Sequence, residues 1–493
     1  MTRRTFLQAA AAKAAEPKRP SAKRPNVLFF LTDQWRAQAT GYNRDPNAHT
    51  PALDRFERQS VNFQYAVSGT PVCCPYRASI MTGQYPLRHG VFINDVELRP
   101  TGPTLAEVFA QNGYRAGYIG KWHLHGSPDG KYGRRTAFVP PDKRLGFDYW
   151  KAFEVSHSYN QSGYYEGNDP ELKYWPGYDA LAQTADACRF IERQTQSSDP
   201  YFLMLSVGPP HDPYDTAPAK YKSMYQSRQI QLRPNVPPQL REKAQSILRG
   251  YYSHIAALDD CLDQLLSTLD RTGTASDTIV VFTSDHGDMM LSQGLTTKLY
   301  PWDESIRIPF LFRYPARFGN QSRRLKTPLN APDVMPTLLG ACGLPVPASV
   351  EGTDFLNAPD GQNAAALLSL PVPSHEARRY GFAEYRGLRT PRYTYVRSIG
   401  GPWLLDDNHR DPFQKPNLAN MREARTLQSE LDRQLTDKLK DVHDEFLPAA
   451  EYVRRASVGH YREVNVPIGT TRSPWGDWES TLKPGPKSAQ DVQ

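Results

Sequence analysis

Asn26-Val27-Leu28-Phe29-Phe30-Leu31-Thr32-Asp33 is a short apolar run closed by an acidic residue. It is too short for a buried helix and has no polar face, so residues 27–31 read as a strand covered on both sides. Comparable runs recur at 115–120, 201–207, 278–282 and 308–313. Amphipathic segments lie between them, at 51–59, 104–111, 181–194 and 241–269. The last of these carries Ile247, Tyr251, Ile255, Leu258, Leu262 and Leu265 at helical spacing. Strands joined by crossover helices predict an α/β fold, with a doubly wound, mostly parallel central sheet flanked by helices. Ligands collect beyond the carboxyl ends of such strands. Asp33, Lys121, His211 and Asp285 each follow one of the apolar runs.

The texture changes after residues 369–373. Segments 380–384 and 393–397 alternate like strands of a smaller antiparallel sheet, and 427–446 reads as a charged amphipathic helix. The expected division is an arm at 1–25, a catalytic domain at 26–370, a C-terminal antiparallel subdomain at 371–466 and an irregular tail at 467–493.

The formal charge of +7 is concentrated at the start of the chain. Residues 1–25 hold Arg3, Arg4, Lys13, Lys18, Arg19, Lys23 and Arg24 against Glu16 alone, which leaves the folded body nearly neutral. Without a basic field, a nucleic-acid partner is disfavoured. No apolar run approaches the roughly 20 residues of a membrane span. Cys73, Cys74, Cys188, Cys261 and Cys342 are too sparse and odd in number for a disulfide framework. Thr2-Arg3-Arg4-Thr5-Phe6-Leu7-Gln8 looks like the start of a twin-arginine export signal, although Lys13 cuts its apolar region short. A periplasmic or secreted protein is expected. The alternative is a disordered basic arm on a cytoplasmic one.

Cys73-Cys74-Pro75-Tyr76-Arg77, with Thr82-Gly83 after it, carries the chemistry. Pro75 suits the first turn of a helix, which puts Cys73 at a helix N-terminus where free N–H groups favour an anion. Arg77 lies one helical turn on, with its guanidinium able to reach back toward the Cys73 side chain. Lys121 and His123, two apart on an extended segment, would point to the same side.

The pattern Cys-x-Pro-x-Arg-x4-Thr-Gly resembles the signature of the type I sulfatases of the alkaline-phosphatase-like superfamily, and an ordered series of further motifs extends the resemblance over roughly residues 26–420. The resemblance implies that Cys73 is oxidised to formylglycine by a maturation enzyme. Asp33-Gln34 and Asp285-His286 match the family's two metal-binding pairs, with the formylglycine at Cys73 adding an oxygen. Mixed carboxylate and amide oxygens suit Ca2+, while the nitrogen of His286 leaves Mn2+ or another transition metal open. Gly120-Lys121-Trp122-His123, His211 in Gly-Pro-Pro-His-Asp-Pro-Tyr and Lys298 in Gly-Leu-Thr-Thr-Lys match the remaining active-site cations.

The implied reaction hydrolyses a sulfate monoester. The hydrated aldehyde attacks sulfur, Arg77, Lys121, Lys298 and the metal hold the sulfate oxygens, His211 protonates the leaving alcohol, and His123 takes a proton from the second hydroxyl. The rivals are a phosphonate monoester or phosphodiester hydrolase of the same superfamily, and a non-catalytic glycan-binding relative. A sulfated carbohydrate is the expected substrate, with specificity in loops such as 156–174, rich in Tyr, Asn and Gly. Glu304 and Arg307 read as a structural pair, and His125 as either a pocket or a surface residue.

Overall fold

The computed structural model describes residues 24–126, 135–358, 365–378, 380–461 and 464. The N-terminal export-like segment and the tail from 467 lie outside these.

Ten strands form the main sheet: β1 (Asn26–Asp33), β2 (Val61–Phe63), β3 (Arg115–Lys121), β4 (Tyr149–Phe153), β5 (Gly163–Glu166), β6 (Lys173–Tyr174), β7 (Tyr201–Pro210), β8 (Thr278–Ser284), β9 (Phe310–Arg313) and β10 (Arg323–Leu325). Their order is β10-β2-β9-β8-β1-β7-β3-β4-β5-β6. The centre, β8-β1-β7-β3-β4, is parallel, with Phe29 of β1 opposite Met204 on one side and Val281 on the other. Both margins turn antiparallel, at β9 against β8 and β2, and at β5 against β4. The run at 308–313 therefore belongs to a mixed margin, since β9 follows β8 by an α-helical turn and returns beside it.

The period-2 alternation of β1 shows why both faces had to be apolar. Val27, Phe29 and Leu31 enter one core with the helices Cys73–Thr82, Leu105–Gln111 and Ala331–Ala341. Leu28 and Phe30 enter the other with Asp179–Gln194 and Arg241–Arg271. Thr104 opens the helix Leu105–Gln111 with a capping box completed by Glu107.

A second sheet, antiparallel and in sequence order, comprises β11 (Ala366–Leu370), β12 (Tyr385–Arg389), β13 (Tyr393–Ser398) and β14 (Gly401–Asp407). Segment 380–384 is not a strand. Gly381 turns the chain there at φ 77°, and pairing begins at Tyr385. The strand Ala366–Leu370 precedes the 370/371 division expected from sequence. The charged amphipathic helix expected at 427–446 is Arg425–Asp441, which ends earlier, and a short helix Ala449–Arg455 follows it. Arg389 ties the two sheets together by bonding both carboxylate oxygens of buried Asp303, at 2.7 and 2.9 Å. Glu304 and Arg307 do not pair with each other: Glu304 takes Arg233 at 2.8 Å and Arg307 takes Asp303 at 3.4 Å.

Candidate active site

Four neighbouring parallel strands end at one edge and hold the chemistry there. Asp33 closes β1, Lys121 closes β3, His211 follows β7, and Asp285 and His286 follow β8. The helix Cys73–Thr82 brings Cys73 to the same place, and all ten of its residues are buried. The side chains of Asp33, Cys73, Asp285 and His286 place one ligand atom each within 4.8 Å of all the others, and all four are buried. Cys73 Sγ lies 3.2 Å from His286 Nε2 and 3.5 Å from Lys298 Nζ.

Gln34 completes this group. Its φ of 69° turns the chain just past the strand. Its Nε2 donates to Asp288 Oδ2 at 2.7 Å and to Tyr214 OH at 3.1 Å, so both amide hydrogens are used. The oxygen is left facing the site, where Lys298 Nζ donates to it at 3.1 Å. Lys298 sits between two residues of left-handed backbone, Thr297 at φ 62° and Leu299 at φ 85°. For a β-branched residue that conformation is strained. The C-terminal sheet helps to hold it, through Tyr385 OH donating to the Leu299 carbonyl at 3.1 Å.

Arg77 does reach back along its helix, but one of its terminal nitrogens goes to carboxylates and the other to a hydroxyl. Nη2 lies 3.0 Å from Asp285 and 3.4 Å from Asp33, and Nη1 donates to Ser206 Oγ at 2.7 Å. Lys121 Nζ donates to Asp33 Oδ2. His123 reaches the site by a turn: β3 ends at Lys121, and His123 has φ 58°, so strand alternation does not set its direction. Its Nε2 bonds Asp95 Oδ1 at 3.1 Å, and Asp95 is also held by Arg135 at 2.8 Å. His211 Nε2 accepts from Lys298 Nζ at 2.8 Å, which assigns its hydrogen to Nδ1, 3.0 Å from the Asp212 carbonyl. The His157 ring stacks on His211 with centroids 4.4 Å apart. His125 is buried, with its backbone N–H on Glu154 at 3.1 Å.

The charges respond to this crowding. Burial and Asp33 push the Cys73 thiol up, but Lys121, Lys298 and His286 pull it well below the usual thiol range. Burial also opposes ionisation of Asp33, yet Lys121, His211, His286 and Arg77 hold its carboxyl well below the usual carboxylate range. Burial and the neighbouring Asp33 push the Asp285 carboxyl up. Burial and Lys298 push the His211 imidazole down to about 3. Two facing buried carboxylates, an imidazole and an amide oxygen form a donor set that a divalent cation satisfies, because it removes the repulsion between Asp33 and Asp285.

Every site residue named from sequence lies in or against this cluster. Asp95, Ser206, Tyr214 and Asp288 were missed, although they hold His123, Arg77 and Gln34. Tyr214, which closes the quoted Gly-Pro-Pro-His-Asp-Pro-Tyr motif, and Asp288, two residues beyond His286, were the nearest to visible. Asp95 and Ser206 stand in segments with no local signal of their role.

Residues 25–344 match the family model described as Sulfatase. The chain belongs to the sulfatase family. Residues 292–441 also match the model described as N-sulphoglucosamine sulphohydrolase, C-terminal. This sulfatase is 42% identical over 437 residues to an ulvan-active sulfatase of Formosa agariphila, covering 88% of this chain and 84% of that one. It is 30% identical over 499 residues to an endo-4-O-sulfatase of Bacteroides thetaiotaomicron, covering 89% and 96%. A solved structure from glycosaminoglycan metabolism in Bacteroides thetaiotaomicron superposes with a TM-score of 0.77 at 28% identity, covering 89% of this sulfatase and 99% of that chain. The protein is accordingly a sulfuric ester hydrolase with the alkaline-phosphatase-like fold.

Proposed function

We propose that this sulfatase removes sulfate from a sulfated polysaccharide or oligosaccharide, using formylglycine made from Cys73 and one divalent cation held by Asp33, Gln34, Asp285 and His286. The observation that carries the reading is the meeting of Cys73 Sγ with His286, Lys298 and the two carboxylates in one buried cluster. The names of the relatives acting on ulvan and as an endo-4-O-sulfatase support a glycan substrate. Ca2+ fits the oxygen-rich set, with Mn2+ the alternative. The cation supplies Lewis acidity at residue 73.

Arg77, Lys121 and Lys298 supply the positive charge around the sulfate oxygens. In the resting site His211 is neutral and accepts from Lys298. An arriving sulfate takes over the Lys298 hydrogen bond, and its negative charge raises the proton affinity of the freed Nε2, so that His211 becomes the donor to the leaving alcohol. His123, held by Asp95, serves the second proton transfer. The export-like N-terminus and the reach of a polymeric substrate both suit a periplasmic or secreted enzyme. Maturation requires a formylglycine-generating partner.

The test of substrate class is release of inorganic sulfate from a panel of sulfated sugars, with an aryl sulfate as reference. Turnover of some sulfated sugar is expected, and turnover of the aryl ester alone would remove the glycan from the reading. Against the phosphonate rival, kcat/KM for the aryl sulfate exceeds that for the corresponding phenyl phosphonate. Lys121→Ala lowers the sulfate reaction by about 3 kcal/mol, the loss expected for a buried electrostatic contact to the transition state. A preference for the phosphonate with Lys121→Ala nearly silent would assign the chain to the other class.

Asp95 gives a further expectation. Asp95→Asn keeps the shape but loses the charge that holds His123 and Arg135, and kcat falls by about 10–100-fold with KM little changed. Unchanged kcat in initial-rate measurements on the folded variant would remove Asp95 from the catalytic support.

A further inference from the structure

A separate cavity of about 330 Å3 is lined by residues from 36–47, 231–236 and 290–292. Such a volume is at the lower end of small-ligand sites. Its floor is Arg36, three residues beyond Asp33 and almost wholly buried, and Arg44 and Arg233 line it as well. None of the catalytic or metal-binding residues assigned above lines it.

Arg36 is the decisive group. Its Nε and Nη1 are buried and have no hydrogen-bond partner among the described residues, and Ser292 Oγ, on the same wall, has none either. Two buried guanidinium donors left without partners are costly even though Tyr252 is in hydrogen-bond contact with Arg36, and an anion offsets that cost. Of the carboxylates that attract Arg36 from a distance, Asp45 is engaged through both oxygens and Glu304 through Oε1 alone, its Oε2 having no hydrogen-bond partner among the described residues. Asp45 accepts from Tyr252 OH at 2.6 Å and from the Asn47 N–H at 2.8 Å. Glu304 accepts from Arg233 Nε and Asn235 Nδ2, both at 2.8 Å. Arg44 forms no ion pair with a described residue and is exposed at the cavity mouth. The cavity thus carries Arg36, with two unpartnered donors, at the floor and the exposed Arg44 at the entrance, beside hydroxyl and amide groups and the engaged carboxylate of Asp45.

We propose that this cavity is a second oxyanion site, which takes a sulfate or carboxylate group without hydrolysing it. The oxyanion comes either from a second acidic group of the glycan, which makes the site an anchor for the polymer, or from a free inorganic anion. The glycan source rests on the substrate reading above, whereas binding of an oxyanion does not.

The probe is inorganic sulfate titrated calorimetrically into the full chain at constant ionic strength. Two classes of site are expected, one catalytic and one in the cavity. Arg36→Gln removes the second class, and because a buried substitution of this kind can unfold the protein, Arg44→Asn provides the independent variant. Asparagine tolerates the left-handed backbone at position 44, where φ is 65°. Arg44→Asn weakens the second class about 10-fold and leaves turnover of a small aryl sulfate unchanged. If the source is the glycan, the same variant raises KM for a multiply sulfated oligosaccharide about 10-fold. If it is a free anion, KM for that oligosaccharide stays level while the sulfate titration still shifts. A single class of sulfate site, unaffected by Arg44→Asn, overturns the proposal. Failure to turn over any sulfated sugar overturns the glycan reading and leaves the calorimetric result standing.

Discussion

Cys73→Ala leaves no measurable sulfate ester hydrolysis, a loss of at least about 10⁴-fold in kcat, as expected when a nucleophile is removed. Cys74→Ala or Cys74→Ser keeps most of the activity. The adjacent thiols differ because the helix start turns them in different directions. Sγ of Cys73 meets His286 and Lys298, whereas Sγ of Cys74 points back to the His123 carbonyl at 3.0 Å. Burial, helped by Asp95 and Cys73 and opposed by His123, pushes the Cys74 thiol up, while the cations around Cys73 pull its thiol down. Peptide mass spectrometry of protein made together with a maturation enzyme finds formylglycine at position 73 and an intact cysteine at 74. Full activity with unmodified Cys73 would falsify the mechanism.

Metal content separates two substitutions at Asp285. Asp285→Asn keeps a hydrogen-bond acceptor for Arg77 and folds, but it loses the charge needed for the cation. Bound metal drops to less than about a tenth of the wild-type stoichiometry and kcat falls about 10³-fold, in line with loss of Lewis-acid and oxyanion stabilisation together. Asp285→Ala loses metal and also leaves the buried Arg77 guanidinium, 3.0 Å from the missing carboxylate, with the longer Asp33 contact as its remaining ion pair. Breaking one side of such a pair costs about 3–5 kcal/mol of stability. Elemental analysis of the purified variants and their thermal unfolding check both parts, and a full complement of metal in Asp285→Asn removes this residue from the ligand set.

The parallel centre was legible because buried strands must be apolar on both faces, as residues 27–31 are. The antiparallel margins were not, since β2, β5, β6 and β10 are two to four residues long and carry no period of their own. In the site, groups in sequence motifs were found and groups that act through them were not. Asp95 lies 28 residues from His123 in sequence and Ser206 lies 129 from Arg77, so their roles exist only in three dimensions. His123 shows the limit of a local argument. The two-residue spacing from Lys121 was read as strand alternation, but the strand had already ended and a positive φ sets the direction instead.

The distance along the chain between Cys73 and the groups that close over it also sets a clock. His286 follows it by 213 residues and Lys298 by 225. At roughly 5–20 residues per second of synthesis, the thiol emerges about 10–45 s before its enclosing partners exist. Afterwards it is only 2% exposed, within a helix whose every residue is buried. Under the proposed mechanism, conversion of Cys73 to formylglycine is then a race between the maturation enzyme and folding. On that proposal, a chain that folds first keeps an enclosed, unconverted Cys73, and the specific activity of a preparation records how often the maturation enzyme arrived in time.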